Sequence, residues 1–352
     1  MGIRSVEGVA GPPWERELRG TVDKLVIESE LLEGNPLGDP TKRPLYAYLP
    51  PGVNDSTDVR FPSIYVILGF TGQLDMWLNR APLEATMLER VDDLFSSEDV
   101  PPAIVVFVDA WTSYGGSQFI NSVGTGPYMD YLCDEVCTFV DDRYPTISDR
   151  AHRGLTGKSS GGYGAMVVPM LRPDIFGALA SHAGDALFEA SNLPDFPRVA
   201  RHLRDHFDGS WDVFFERLRG EDHLDWDRFG GPLEIYGYAS CYSPDESRPG
   251  KALLPFEIGT GRLVDEIWEK WLSWDPVRMA PLHTDALSGM KRIYLDAGRS
   301  DEYFLDLGAQ AFSDELTKAG IEHTLDLFEG KHGGIQYRYP LALKALAEAL
   351  AP

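Results

Sequence analysis

The sequence predicts an α/β protein: one mostly parallel sheet with helices on both faces and an inserted cap. Two observations carry the sheet. Short runs dense in β-branched and apolar residues recur along the chain, and the stretches between them have the 3.6-residue apolar spacing of helices. A third observation carries the cap, because the interval 185 to 290 is far longer than a simple crossover needs.

Taken in order, "VDKLVIESELL" and "PLYAYLP", separated by the turn-rich "EGNPLGDPTKR", read as an antiparallel opening pair. Buried strands follow at 62–69 (PSIYVILG), 103–110 (AIVVFVDA), 153–157 (RGLTG), 176–184 (FGALASHAG), 291–298 (KRIYLDAG) and 323–330 (HTLDLFEG). Helical spacing marks 80–95, 127–143, 160–171 and 303–319. The predicted division is a catalytic domain of residues 1–184 and 291–352, with 185–290 as a cap over the C-terminal edge of the sheet. That insertion holds five of the eight tryptophans, and "LVDEIWEKWLSW" puts Leu263, Ile267, Trp271 and Trp274 on one helical face, a packing stripe.

Composition narrows the function. With 55 Asp and Glu against 32 Lys and Arg, the formal charge is −23, and no basic run offers a surface for nucleic-acid phosphates. Cys133, Cys137 and Cys241 read as buried thiols rather than a disulfide framework. The opening "MGIRSVEGVAGPPWERELRG" lacks a continuous apolar stretch after a basic start, and no later segment has the length of a membrane span. The chain therefore reads as cytoplasmic, although a secreted chain trimmed of its leader would look the same.

Chemistry concentrates at "TGKSSGGYGAM". Gly157-Lys158-Ser159-Ser160-Gly161 is a G-x-S-x-G pattern, weak alone, but a strand-like run precedes it and a small-residue helix follows. That is the setting of a nucleophile elbow, with the Ser159 hydroxyl exposed on a strained turn. A serine hydroxyl needs a general base and an acid to orient it, expected here in the order Ser, Asp or Glu, His, each after a later strand. Asp301, in "RSDEYF" beyond a strand end, is the best candidate acid; Asp296 and Glu302 are alternatives, and an Asp here could equally cap a helix. His332, in "KHGG" after the last strand, is the candidate base. His152, His182 and His323 border strands, and His202 and His206 have helical metal-pair spacing without a third ligand. The oxyanion donors would be the N–H of Ser160 and one from Phe70 or Thr71, where a strand ends at Gly69. Trp77 and Trp111 follow strand ends and are candidate pocket residues. The chemistry needs neither metal nor cofactor.

With those residues placed, the chain resembles an α/β-hydrolase of the esterase group that includes enterochelin esterases, S-formylglutathione hydrolases, feruloyl esterases and mycolyltransferases. The resemblance rests on "LYAYLPPGV", "YVILGFTG", "GGSQFINSVGTGPYMDYLCDEV", "TGKSSGGYGAM", "YLDAGRSDEYF" and "GKHGG". It implies an α/β-hydrolase fold, Ser159 as nucleophile, His332 as base, Asp301 as acid, and the N–H groups of Phe70 and Ser160 as oxyanion hole. The expected function is a serine esterase cleaving a small-molecule ester or thioester through an acyl-enzyme. The alternatives are an acyltransferase using the same intermediate and a scaffold that only binds ligand. The chain departs from the group in Lys158 and Ser160 beside the nucleophile, and in the missing His of the common "HG" form at "LGFTG".

Overall fold

The computed structural model describes residues 16–53 and 59–352; most of the N-terminal segment weighed above for a leader, 1–15, lies outside them. Among the described residues ten strands form: β1 Thr21–Glu28, β2 Lys42–Leu49, β3 Ser63–Ile67, β4 Ile104–Val108, β5 Asn121–Ser122, β6 Gly126–Pro127, β7 Arg153–Lys158, β8 Ala178–His182, β9 Arg292–Gly298 and β10 Thr324–Phe328. Eight build one sheet in the order β1-β2-β4-β3-β7-β8-β9-β10, and β5 and β6 make a separate small hairpin. The opening pair is antiparallel, with Thr21 opposite Leu49, and β2 joins β4 antiparallel. From β4 to β10 every pairing is parallel.

Both faces of this sheet are covered, so its central strands are apolar throughout rather than alternating. In β3, Ile64 and Val66 face a core shared with the helices Met87–Phe95 and Tyr339–Leu350. Tyr65 and Ile67 face the opposite core, which holds Ala165 and Val168 of the helix Ser160–Leu171. The stretch expected to be helical from 80 begins its helix only at Met87. Pro82 disfavours helix at the residue before it, and Thr86 caps the true start: Glu89 N–H donates to its hydroxyl (3.3 Å), and the Glu89 carboxylate accepts the Thr86 N–H (2.7 Å). The three cysteines are free and buried.

The segment 185–290 is helical, with Phe196–His206, Trp211–Arg219, Trp226–Tyr242 and Asp265–Leu272 as its longer elements. It shares a continuous core with the sheet's own helices: Phe196, Phe214, Phe229 and Trp271 belong to the same cluster as Tyr163, Met166, Leu295 and Phe312. Trp271, on the predicted stripe, is fully buried. Its indole N–H donates to the Ser243 hydroxyl (2.9 Å).

Candidate active site

The elbow forms because β7 runs straight into the helix Ser160–Leu171 with no room for a loop. Ser159 sits between them at φ 59° and ψ −127°, a backbone conformation that costs a non-glycine residue of order 1–3 kcal/mol. Its N–H donates to the carbonyl of His182 (3.0 Å) at the end of β8. The flanking glycines are required by close approach. A Cβ on Gly157 would meet the Gly161 carbonyl carbon at 2.5 Å, and one on Gly161 would meet the Ile67 carbonyl oxygen at the same distance.

Residues far apart in the chain converge on the Ser159 hydroxyl. His332, in the loop after β10, has Nε2 3.1 Å from Ser159 Oγ, and its Nδ1 lies 2.8 Å from a carboxylate oxygen of Asp301 in the loop after β9. With the Nδ1 proton directed at Asp301, Nε2 is left to accept from the serine. Asp301 is buried, and its second oxygen accepts the N–H of Tyr303 (2.9 Å). The Tyr303 ring stands edge-on to the imidazole, 4.9 Å between centroids.

The two alternative acids are occupied elsewhere. Asp296, fully buried in β9, pairs with His182 Nδ1 (2.7 Å) and Arg338 Nε (3.0 Å). Glu302 accepts the backbone N–H of His332 (3.0 Å), and that bond holds its carboxyl below the usual carboxylate range. Three further histidines are bonded too: His152 Nδ1 to the Leu350 carbonyl (2.6 Å), His202 Nε2 to the Arg228 carbonyl (2.7 Å) and His323 Nε2 to the Ser313 hydroxyl (2.6 Å).

Of the two oxyanion candidates after β3, Thr71 spends its N–H on the Gly115 carbonyl (2.7 Å). The Phe70 N–H has no backbone acceptor among the described residues. Ser160 opens its helix, where the first N–H groups lack intrahelical partners and the helix dipole favours negative charge.

Ser159 and His332 open onto a cavity of about 470 Å³, also lined by Trp77, Lys158, Asp185, Trp226, Glu234 and Tyr238. Trp77 lies in its wall, packed against Phe107 and Tyr339. Trp111 does not reach this cavity, which corrects its expected place in the pocket. The chain after β4 is drawn toward β2 instead: Arg43 pairs with Asp109 (2.7 Å) and donates to the Trp111 carbonyl. The Trp111 side chain lies beside separate, smaller hollows with neighbours such as Arg43 and Asp109.

Sequence reasoning missed Asp185, Glu234 and Tyr238. Glu234 had a legible signal, a lone carboxylate within the otherwise apolar and aromatic "FGGPLEIYGYASCY". Burial, with Asp185 nearby, pushes its carboxyl up to about 8. Burial likewise lowers the Lys158 ammonium below its ordinary value.

Such a sheet, with its elbow and helices, is the fold of the α/β-hydrolases. Residues 40–344 match the family model described as "Putative esterase". The chain belongs to that esterase family. A solved ferulic acid esterase is similar in fold at TM-score 0.59 and 17% identity, covering 95% of this chain and 100% of that one. An S-formylglutathione hydrolase from Agrobacterium tumefaciens is similar at TM-score 0.57 and 14% identity, covering 96% and 98%. An endo-1,4-beta-xylanase/feruloyl esterase of Xylanibacter ruminicola is 26% identical over 133 residues, 37% of this chain and 18% of that protein. The match spans about a third of another curated relative, an uncharacterized protein of Corynebacterium glutamicum, 25% identical over 142 residues. No helix among the described residues is long and apolar enough to cross a membrane.

Proposed function

We propose that the chain hydrolyses a small-molecule carboxylic ester or thioester through an acyl-enzyme on Ser159. The observation that carries the reading is the hydrogen-bonded line from Ser159 Oγ through the His332 imidazole to Asp301, at 3.1 and 2.8 Å, opening onto the cavity beside the strained elbow.

In the first half-reaction, Ser159 Oγ attacks the carbonyl carbon while His332 Nε2 takes its proton, and Asp301 stabilises the resulting imidazolium. The carbonyl oxygen becomes an oxyanion facing the N–H groups of Phe70 and Ser160. Losing one such donor costs about 3–4 kcal/mol of transition-state stabilisation. Collapse of the intermediate breaks the bond to the leaving alkoxide or thiolate, which takes the proton from His332. Water then repeats the sequence on the acyl-enzyme and releases the acid. In this reading the 185–290 segment is the cap that walls the substrate cavity, and Trp77 is part of the opposite wall.

The test is covalent labelling with a fluorophosphonate, read by intact mass. The expected result is one adduct on the wild type, none on Ser159→Ala, and loss of ester hydrolysis in that variant with its unfolding midpoint unchanged. Substantial turnover by Ser159→Ala would overturn the reading.

A further inference from the structure

We propose that Tyr238, carried by the inserted helix Trp226–Tyr242, is a positioning residue for the oxyanion hole. The inference rests on the reading of Ser159 as nucleophile and of Phe70 and Ser160 as donors, and extends it to a segment with no part in the triad.

Phe70 follows the end of β3, and its N–H is useful only if the backbone holds still. The next residue anchors that backbone, the Thr71 N–H on the Gly115 carbonyl and the Thr71 hydroxyl on the Phe70 carbonyl, each at 2.7 Å. The Phe70 side chain is packed as well. Gly115 packs against it, where a Cβ would stand 2.5 Å from the Phe70 ring. Gly237 and Tyr238 of the helix Trp226–Tyr242 pack against it too. A Cβ on Gly237 would come within 2.8 Å of the same ring and 2.6 Å of the Tyr114 carbonyl. The Tyr238 ring meets the Phe70 ring edge-on, 5.5 Å between centroids. Helix and loop thus both press on the Phe70 ring at the cavity edge, and the adjacent N–H is held with it.

Tyr238 also reaches the second donor residue. Its hydroxyl lies 3.4 Å from the Ser160 hydroxyl and donates to Glu234 (3.1 Å). Ser160 Oγ is in turn 3.3 Å from Asp185, which accepts from the Gln118 side-chain amide (3.1 Å). One buried side chain from the insertion therefore touches both residues whose N–H groups face the developing charge. Oxyanion donors work because they are already in place when the charge appears, so a side chain whose ring packs on Phe70 and whose hydroxyl reaches Ser160 should act on the transition state and leave substrate affinity alone.

The experiment compares Tyr238→Met, which fills similar volume without a ring, with Tyr238→Phe, which keeps the ring and drops the hydroxyl. Gly237→Ala displaces Phe70 from the same side without touching Tyr238. Each is measured for kcat and KM on a small aryl ester and for inhibition by a trifluoromethyl ketone. Ser159 adds to that ketone to give a tetrahedral oxyanion held by the two N–H groups.

Displacing a donor without deleting it should cost less than the loss of a whole donor, about tenfold in kcat. Tyr238→Met and Gly237→Ala are expected to show that loss with KM within about twofold, together with a matching loss of ketone affinity, while Tyr238→Phe restores most of both. Wild-type kcat in both ring-displacing variants would overturn the inference. So would a fall in kcat with ketone affinity unchanged, or an effect confined to KM, which would make Tyr238 an ordinary wall residue. If Tyr238→Met does not fold, Gly237→Ala and Tyr238→Phe give the same split. Failure of the underlying reading looks different, because the wild type itself would then form no ketone adduct.

Discussion

Asp296, Asp301 and Glu302 lie within one short stretch of sequence, and any of them could have been the acid beside His332. Their surroundings separate them. Asp301 faces Nδ1 of His332, Asp296 is locked between His182 and Arg338, and Glu302 holds the His332 backbone. Asp301→Asn is expected to lower kcat by about three to four orders of magnitude, because the amide no longer holds the imidazole in the productive tautomer. Glu302→Gln should cost far less. Steady-state kinetics on one aryl ester checks both, and an unaffected Asp301→Asn would remove that residue from the mechanism. At the elbow, Gly161→Ala would put a methyl 2.5 Å from the Ile67 carbonyl. It should cost about 1–3 kcal/mol of stability and most of the activity, read from denaturant melts and the same assay. These residues were legible as types and positions, since the steric need for glycine is a local property and chain order is read directly from the sequence. Their pairing was not.

At the scale of elements, the strands were the most legible part, because runs such as "AIVVFVDA" can be satisfied only in a sheet buried on both faces. The start of the helix Met87–Phe95 was misjudged where Pro82 and the Thr86 cap override apolar spacing. The β5–β6 hairpin was too short to leave a pattern. Less visible still is the buried knot that ties elements around the Ser159–His332–Asp301 line. His182 at the end of β8, Asp296 in β9 and Arg338 just before the helix Tyr339–Leu350 form one hydrogen-bonded line, and Arg338 also pairs with Asp326 in β10. Arg338→Met would strand the fully buried Asp296 carboxylate without its cation. The expected loss is about 3–5 kcal/mol of folding stability, measured by urea unfolding; a loss near zero would show that His182 and the Tyr294 hydroxyl satisfy Asp296 without Arg338.

Over the whole molecule, the 185–290 segment shares one core with the sheet, and its Glu234 and Tyr238 line the cavity. Glu234 makes this visible in solution. Its carboxyl ionises near 8 in the fold against an ordinary 4.5, so between those values the folded chain keeps a proton that the unfolded chain has released. Stability from this group is therefore fully present below about pH 4.5 and is lost as pH rises through 8. Glu234→Gln should escape the loss, its melting temperature gaining on the wild type as the pH is raised from about 5 to 9; parallel curves would mean that Glu234 is ionised throughout.

What the sequence determined by itself was the class of fold and the strand-turn-helix setting of Ser159, because strand composition and turn sterics act within a few residues. Tertiary structure alone decided which carboxylate meets the imidazole, why Trp111 stands aside while Trp77 lines the cavity, and which helix meets the Phe70 ring. Those outcomes turn on hydrogen-bond distances of about 3 Å between groups far apart in the chain, and only the packing of the whole core brings such groups within reach.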